Sequence, residues 1–76
     1  MAAKAFVLIE TTVGRANEVA AALKQVKGVK SVNAVTGPYD VITVIEAETL
    51  NDIGDVVTGI IHPTVGISRT VTCLAM

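Results

Sequence analysis

Few side chains in this sequence could perform chemistry, and they stand far apart. His62 is the single histidine and Cys73 the single cysteine. An imidazole titrates near neutrality and suits general acid–base work, but it needs a positioned second group. His62 has no such partner nearby in sequence. It stands in Ile61-His62-Pro63, where a cation complements a helix C-terminus. Cys73 lies in a strand-like pattern, where a cysteine acts as a small hydrophobe. Its nearest cation in sequence is Arg69, and four strand residues put that side chain about 13 Å away, too far to activate a thiolate. One cysteine forms no disulfide within the chain, and one cysteine with one histidine speaks against structural zinc. Glu10, Glu46 and Glu48 lack the spacing of an acid–base pair. Gly14 precedes a helix without a glycine-rich phosphate loop. No catalytic residue, metal or cofactor is therefore expected.

Two stretches suit recognition better than catalysis. The first is Thr36-Gly37-Pro38-Tyr39-Asp40-Val41-Ile42. Pro38 fixes its own φ, Gly37 accepts conformations that a Cβ resists, and Asp40 places a carboxylate at the mouth of a strand. This is either a hairpin turn or a hairpin whose backbone and acid help hold a small ligand. The second is Ser68-Arg69-Thr70-Val71-Thr72, which offers hydroxyls and a guanidinium, or simply a polar strand face. An α-amino acid needs acceptors for its ammonium and donors for its carboxylate. Asp40 suits the first role. Backbone N–H groups around Tyr39 to Val41, with the Ser68 or Thr70 hydroxyls, suit the second.

The surrounding periodicities predict the elements that hold these stretches. Lys4 to Val13 reads as a strand, with Phe6 and Leu8 on one side and Val7 and Ile9 on the other. Arg15 to Lys27 reads as a helix with the stripe Ala16, Val19, Ala20, Leu23 and Val26, ended by Gly28. Val29 to Thr36 is a more polar, half-exposed strand. Asp40 to Glu48 is a third strand, apolar on both sides. Thr49 is placed to cap a second helix whose stripe is Leu50, Ile53, Val56, Val57, Ile60 and Ile61, closed by Pro63. Val65 to Leu74 is the last strand. The order β-α-β-β-α-β implies an α+β, ferredoxin-like sandwich: a four-stranded antiparallel sheet with two helices on one face. The other face stays bare. Strands apolar on both sides would make it an exposed apolar patch, and such patches mark interfaces. Dimerisation sheet face to sheet face is the expectation.

Bulk composition agrees. The 76 residues allow one domain, 1–76, and 51% of them are hydrophobic, more than so small a core normally hides. Six Lys+Arg against seven Asp+Glu give a formal net charge of −1. The one basic cluster, Lys24, Lys27 and Lys30, falls at a helix end rather than along a nucleic-acid-binding stripe. No signal peptide or membrane-spanning run is visible, so a cytoplasmic protein without membrane or direct nucleic-acid contact is expected.

Taken together, the Gly14 lead-in to the first helix, the stretch VKGVKSVNAVTGPYDVI from Val26 to Ile42 and the closing GISRTVTCLAM resemble the effector-binding RAM domain of the Lrp/AsnC feast/famine regulators. The resemblance spans essentially the whole chain, and Gly37-Pro38-Tyr39-Asp40 corresponds to the family's glycine-x-tyrosine-aspartate hairpin. It implies a βαββαβ domain that pairs through its sheets, with homodimers assembling into octamers or decamers. It implies a small effector, usually an amino acid, bound between dimers at Gly37, Pro38, Tyr39, Asp40 and Val41, with a looser transfer to Ser68, Arg69 and Thr70. The family's regulators also carry a helix-turn-helix domain, for which 76 residues leave no room. The expectation is a stand-alone form that senses an amino acid, with co-assembly with full-length Lrp/AsnC regulators left open. Two other readings remain. One is a small dimeric α+β barrel enzyme, an isomerase or cofactor-free monooxygenase using His62 or Tyr39, which would need an enclosed apolar cavity inside each protomer. The other is a purely structural assembly subunit.

Overall fold

The computed structural model describes residues 2–76. Strand β1 (Ala3–Thr11) is followed by helix α1 (Ala16–Lys24), strands β2 (Val29–Ala34) and β3 (Val41–Ala47), helix α2 (Leu50–Val56) running on into a π-helical turn (Val57–Ile61), and strand β4 (Ile67–Leu74). The strands form one antiparallel sheet in the order β2-β3-β1-β4. This is the ferredoxin-like βαββαβ arrangement that the pattern of elements requires.

Strand alternation divides the sheet into two unlike faces. Ala5, Val7 and Ile9 of β1 and Val41, Thr43 and Ile45 of β3 are buried beneath the helices, which contribute Val19, Ala20, Leu23, Ile53, Val57 and Ile61. The Thr43 hydroxyl, buried among them, donates to the Ser31 carbonyl at 2.7 Å, so its burial leaves no polar group unpaired. On the helix-free face the register sets Phe6 between Val44 and Cys73, and Leu8 between Ile42 and Val71. Phe6 remains 39% exposed there, with the Lys4 ammonium 5.3 Å from its ring. Lys4 and Glu46 frame this apolar centre at one end, Glu10 and Arg69 at the other.

Several elements end sooner than their sequence patterns predict. β1 stops at Thr11 rather than Val13, because the next N–H, that of Thr12, donates to the Gly66 carbonyl at 2.9 Å. α1 stops at Lys24 rather than Lys27. Gln25 and Val26 donate to Ala22 and Leu23, three residues back, which tightens the last turn. Val26 still packs on the core from this turn, so it extends the apolar stripe without being helical. β2 ends at Ala34 rather than Thr36, and β3 is one residue shorter at each end than Asp40 to Glu48. β4 begins at Ile67 rather than Val65, since Ile67 N–H donates to Thr64 and closes a turn through Gly66. That turn lies against α1. A Cβ at Gly66 would fall 3.0 Å from Val19 Cγ2 and 3.2 Å from Arg15 Cβ, and its φ is +99°.

The second helix begins as the sequence predicts, with Asp52 N–H donating to Thr49 Oγ1 at 3.1 Å. Its end is different. Ile53, Val57 and Ile61 are buried and spaced by four, and at 100° per residue an α-helix turns each such step about 40° too far. The wider π turn offsets that drift and keeps Ile61 on the core. Its bond runs from His62 N–H to the Val57 carbonyl at 2.8 Å.

Candidate functional site

The hairpin end of the sheet gathers the residues that the sequence singles out for recognition. β3 continues one bond past its last paired residue, as Asp40 N–H donates to the Ile9 carbonyl at 2.8 Å. Val35 N–H donates to the Asp40 carbonyl at 2.9 Å and closes a four-residue loop, Thr36 to Tyr39. Gly37 has φ +140° with open space around it, so glycine serves the backbone there rather than a close contact. The N–H groups of Thr36, Gly37 and Tyr39 donate to nothing within the described residues.

Asp40 faces β1. Its Oδ2 accepts the Thr11 N–H at 2.8 Å and the Thr11 hydroxyl at 3.3 Å. The carboxylate thus caps β1 where the strand breaks register with β4, between Glu10 and Thr11. Asp40 Oδ1 has no partner among the described residues. One half of the carboxylate is structural and the other half is free.

The last-strand residues reach the same end with their polar groups in use. The Ser68 hydroxyl donates to the Glu10 carbonyl at 3.1 Å, and Arg69 Nη1 lies 3.5 Å from Glu10 Oε2. Thr70 Oγ1 lies 2.9 Å from His62 Nε2. Arg69 pairs with Glu10 on the helix-free face, whereas Thr70 pairs with Ile9 on the helix face. Neighbouring residues in a strand point opposite ways, so Arg69 and Thr70 of one chain cannot both reach one ligand from the same side. Val41 is fully buried in the core and anchors the loop rather than lining it. The Asp40 N–H, expected as a donor for a ligand carboxylate, is committed to Ile9. The free donors are those of Thr36, Gly37 and Tyr39 instead.

Three pairings escape sequence reasoning. Thr11, 29 positions from Asp40, joins it only through the β1–β3 register. Glu10 gathers Ser68 and Arg69 through the β1–β4 register. His62, without a sequence partner, gains Thr70 through the π turn. Cys73 is exposed on the helix-free face beside Phe6. Among the described residues no group of three His, Cys, Asp or Glu could hold a metal ion. No helix is long and apolar enough to cross a membrane. An open cleft of about 690 Å³ lies at the opposite end of the sheet. Neither it nor a smaller one between α2 and β4 is lined by His62 or Tyr39.

These features define a ferredoxin-like α+β domain with a bare sheet face and a polar hairpin rim. The model of the Lrp/AsnC ligand-binding domain matches residues 4–76, and the chain belongs to that family. Among solved structures it is similar to FFRP-DM1, with 34% identity over 97% of this chain and 99% of that one and a TM-score of 0.93. It is similar to the protein TTHA0845 of Thermus thermophilus, with 35% identity over 97% and 92% of the two chains and a TM-score of 0.92. The transcriptional regulator NMB0573 of Neisseria meningitidis, solved in complex with L-Met, shares the fold at 20% identity and a TM-score of 0.85. This chain, 97% covered, spans 49% of it. No curated protein matches the chain.

Proposed function

We propose that this chain is a single non-enzymatic module that binds an α-amino acid at the hairpin end and assembles through its helix-free face. In that role it modulates Lrp/AsnC-type transcription regulation without contacting DNA itself. The observation that carries the reading is the half-free carboxylate of Asp40, held rigidly by Thr11 beside a loop with three unused N–H donors. Asp40 Oδ1 accepts the effector's ammonium. The N–H groups of Thr36, Gly37 and Tyr39 take its carboxylate. Gly37 and Pro38 shape the loop, Tyr39 flanks the ligand, and Val41 fixes the loop to the core.

The opposed directions of Arg69 and Thr70 favour a pocket completed by more than one copy, with Ser68, Arg69 and Thr70 arriving from a neighbouring subunit. A homodimer covers Phe6, Leu8, Ile42, Val44 and Val71, and dimers join into an octamer or decamer around the effector. The L-Met complex of the Neisseria regulator supports an amino acid as the effector class. The enzyme reading loses ground because neither of the two clefts described above is lined by His62 or Tyr39.

Isothermal titration against the common amino acids tests this. Saturable heat with at least one of them, lost in Asp40→Asn while the oligomer persists, is the expected result. No heat with any of them refutes the sensor role. Loss of the oligomer in Asp40→Asn makes Asp40 an assembly residue instead.

A further inference from the structure

We propose that the chain carries a second small-molecule site, at the end of the sheet opposite the hairpin, for a dipeptide-sized zwitterion with an aliphatic side chain. The cleft there follows from how the helices end. α1 lies over β2 and β3, α2 over β1 and β3, and past Lys24 only a turn remains on the first side. Ala2, Gly28 and Ala47 line the cleft and are too small to fill the space. The resulting cleft holds about 690 Å³, within the range of about 300–1,000 Å³ typical of ligand sites. One wall is apolar. Val56 and Ile60 line it, and Ile60 is 45% exposed although Val57 and Ile61 beside it are buried.

The mouth is charged, with opposite signs from different elements. Lys27 and Lys30 come from the α1–β2 side, Glu46, Glu48 and Asp52 from the β3–α2 side. None of the five forms an ion pair. The ion pairs among the described residues are Arg15–Glu18 and Arg69–Glu10. Opposite charges held apart across an apolar cleft fit a ligand that carries both signs and has an apolar body. An extended dipeptide spans about 7 Å, so its two charged ends serve groups that stand on different elements. A free amino acid carries both charges on one carbon and reaches one wall only. The lysines take the carboxylate, Glu48 and Asp52 take the ammonium, and Val56 and Ile60 take the side chain.

This site does not depend on the hairpin reading, and the test separates the two. The dipeptide Val-Leu is titrated into the full chain by calorimetry and by amide chemical-shift mapping. One molecule should bind per chain, with shifts at Lys27 to Lys30, Ala47 to Asp52 and Val56 to Ile60. N-acetylation or C-amidation of the peptide should each weaken binding about ten-fold or more, as loss of a charged contact does. Asp52→Asn and Lys27→Gln, both at exposed positions, should weaken it similarly with unfolding curves unchanged. Asp40→Asn should leave it intact. Equal affinity for the capped peptides, unaltered binding to both cleft variants, shifts confined to Thr36–Asp40, equal affinity for free leucine, or no binding at millimolar peptide would each overturn the proposal.

Discussion

Asp40→Ala should destabilise the fold itself, apart from any effect on a ligand. The substitution removes the acceptor of the part-buried Thr11 N–H at 2.8 Å and of its hydroxyl at 3.3 Å. The hydroxyl can turn to water, but the N–H at the end of β1 loses a charged acceptor. Such a loss costs about 1–3 kcal/mol, and partial exposure puts this one near about 1–2 kcal/mol. A domain of this size holds roughly 4–11 kcal/mol in all, so a substantial share of its stability is at stake. At about 4–8 °C per kcal/mol, Tm should fall by about 4–16 °C. Asp40→Asn keeps an oxygen facing Thr11 and should retain most of the stability. Urea unfolding followed by circular dichroism reads the difference as a shift of midpoint at constant slope. Protein concentration must be fixed, because any dimer makes stability depend on it. An Asp40→Ala variant that unfolds at the wild-type midpoint would refute the Asp40–Thr11 contact as a stabilising feature, and with it the claim that the loop is held rigidly for a ligand.

Other substitutions probe the remaining features. Gly66→Ala should cost about 2–4 kcal/mol, because its positive φ penalises any Cβ and Val19 and Arg15 crowd the site. Gly37→Ala, with open space around it, should cost only the backbone share of about 1–2 kcal/mol, and both are read from urea midpoints. Leu8→Asp places a charge at the centre of the helix-free face and should abolish the proposed homodimer, leaving folded monomer in sedimentation equilibrium; a mass unchanged from a dimeric wild type would rule out that face as the interface. Thr49→Ala should cost about 1 kcal/mol by removing the cap on Asp52 N–H, and an unchanged melting curve would contradict the cap.

The fold is legible in the sequence wherever local rules decide. Ala5, Val7 and Ile9 alternate with Phe6 and Leu8, so two differently apolar faces follow from strand geometry alone. Thr49 announces its helix because a cap acts on a residue three positions away. Val26 continues an apolar pattern after the backbone has left its helix, because periodicity registers burial rather than hydrogen bonding, whereas Val65 is exposed in the turn that precedes its strand. The hairpin is legible as a loop, but its chemistry is not. Whether Asp40 is free or bound depends on Thr11, which the β1–β3 register supplies. That Arg69 meets Glu10 while Thr70 faces the helices depends on the β1–β4 register. Gly66 looks like any turn glycine until α1 is laid beside it.

The π turn at Val57–Ile61 gives the chain a setting that a single residue can change. A π turn holds one residue more than an α turn, and π segments arise as one-residue expansions within α-helices. Deleting Gly59 would let the segment close as ordinary α-helix, with its entry from α2 unchanged. Ile61 would then stand three α-helical steps of 100° past Val57, about 60° short of the full turn that the π segment completes. His62 would be drawn away from Thr70, and Ile61 would turn toward the edge of the core. Insertions and deletions in this short stretch therefore act as rotations rather than changes of length. Related chains that differ by one residue here should differ in which group, if any, stands over the Thr70 hydroxyl.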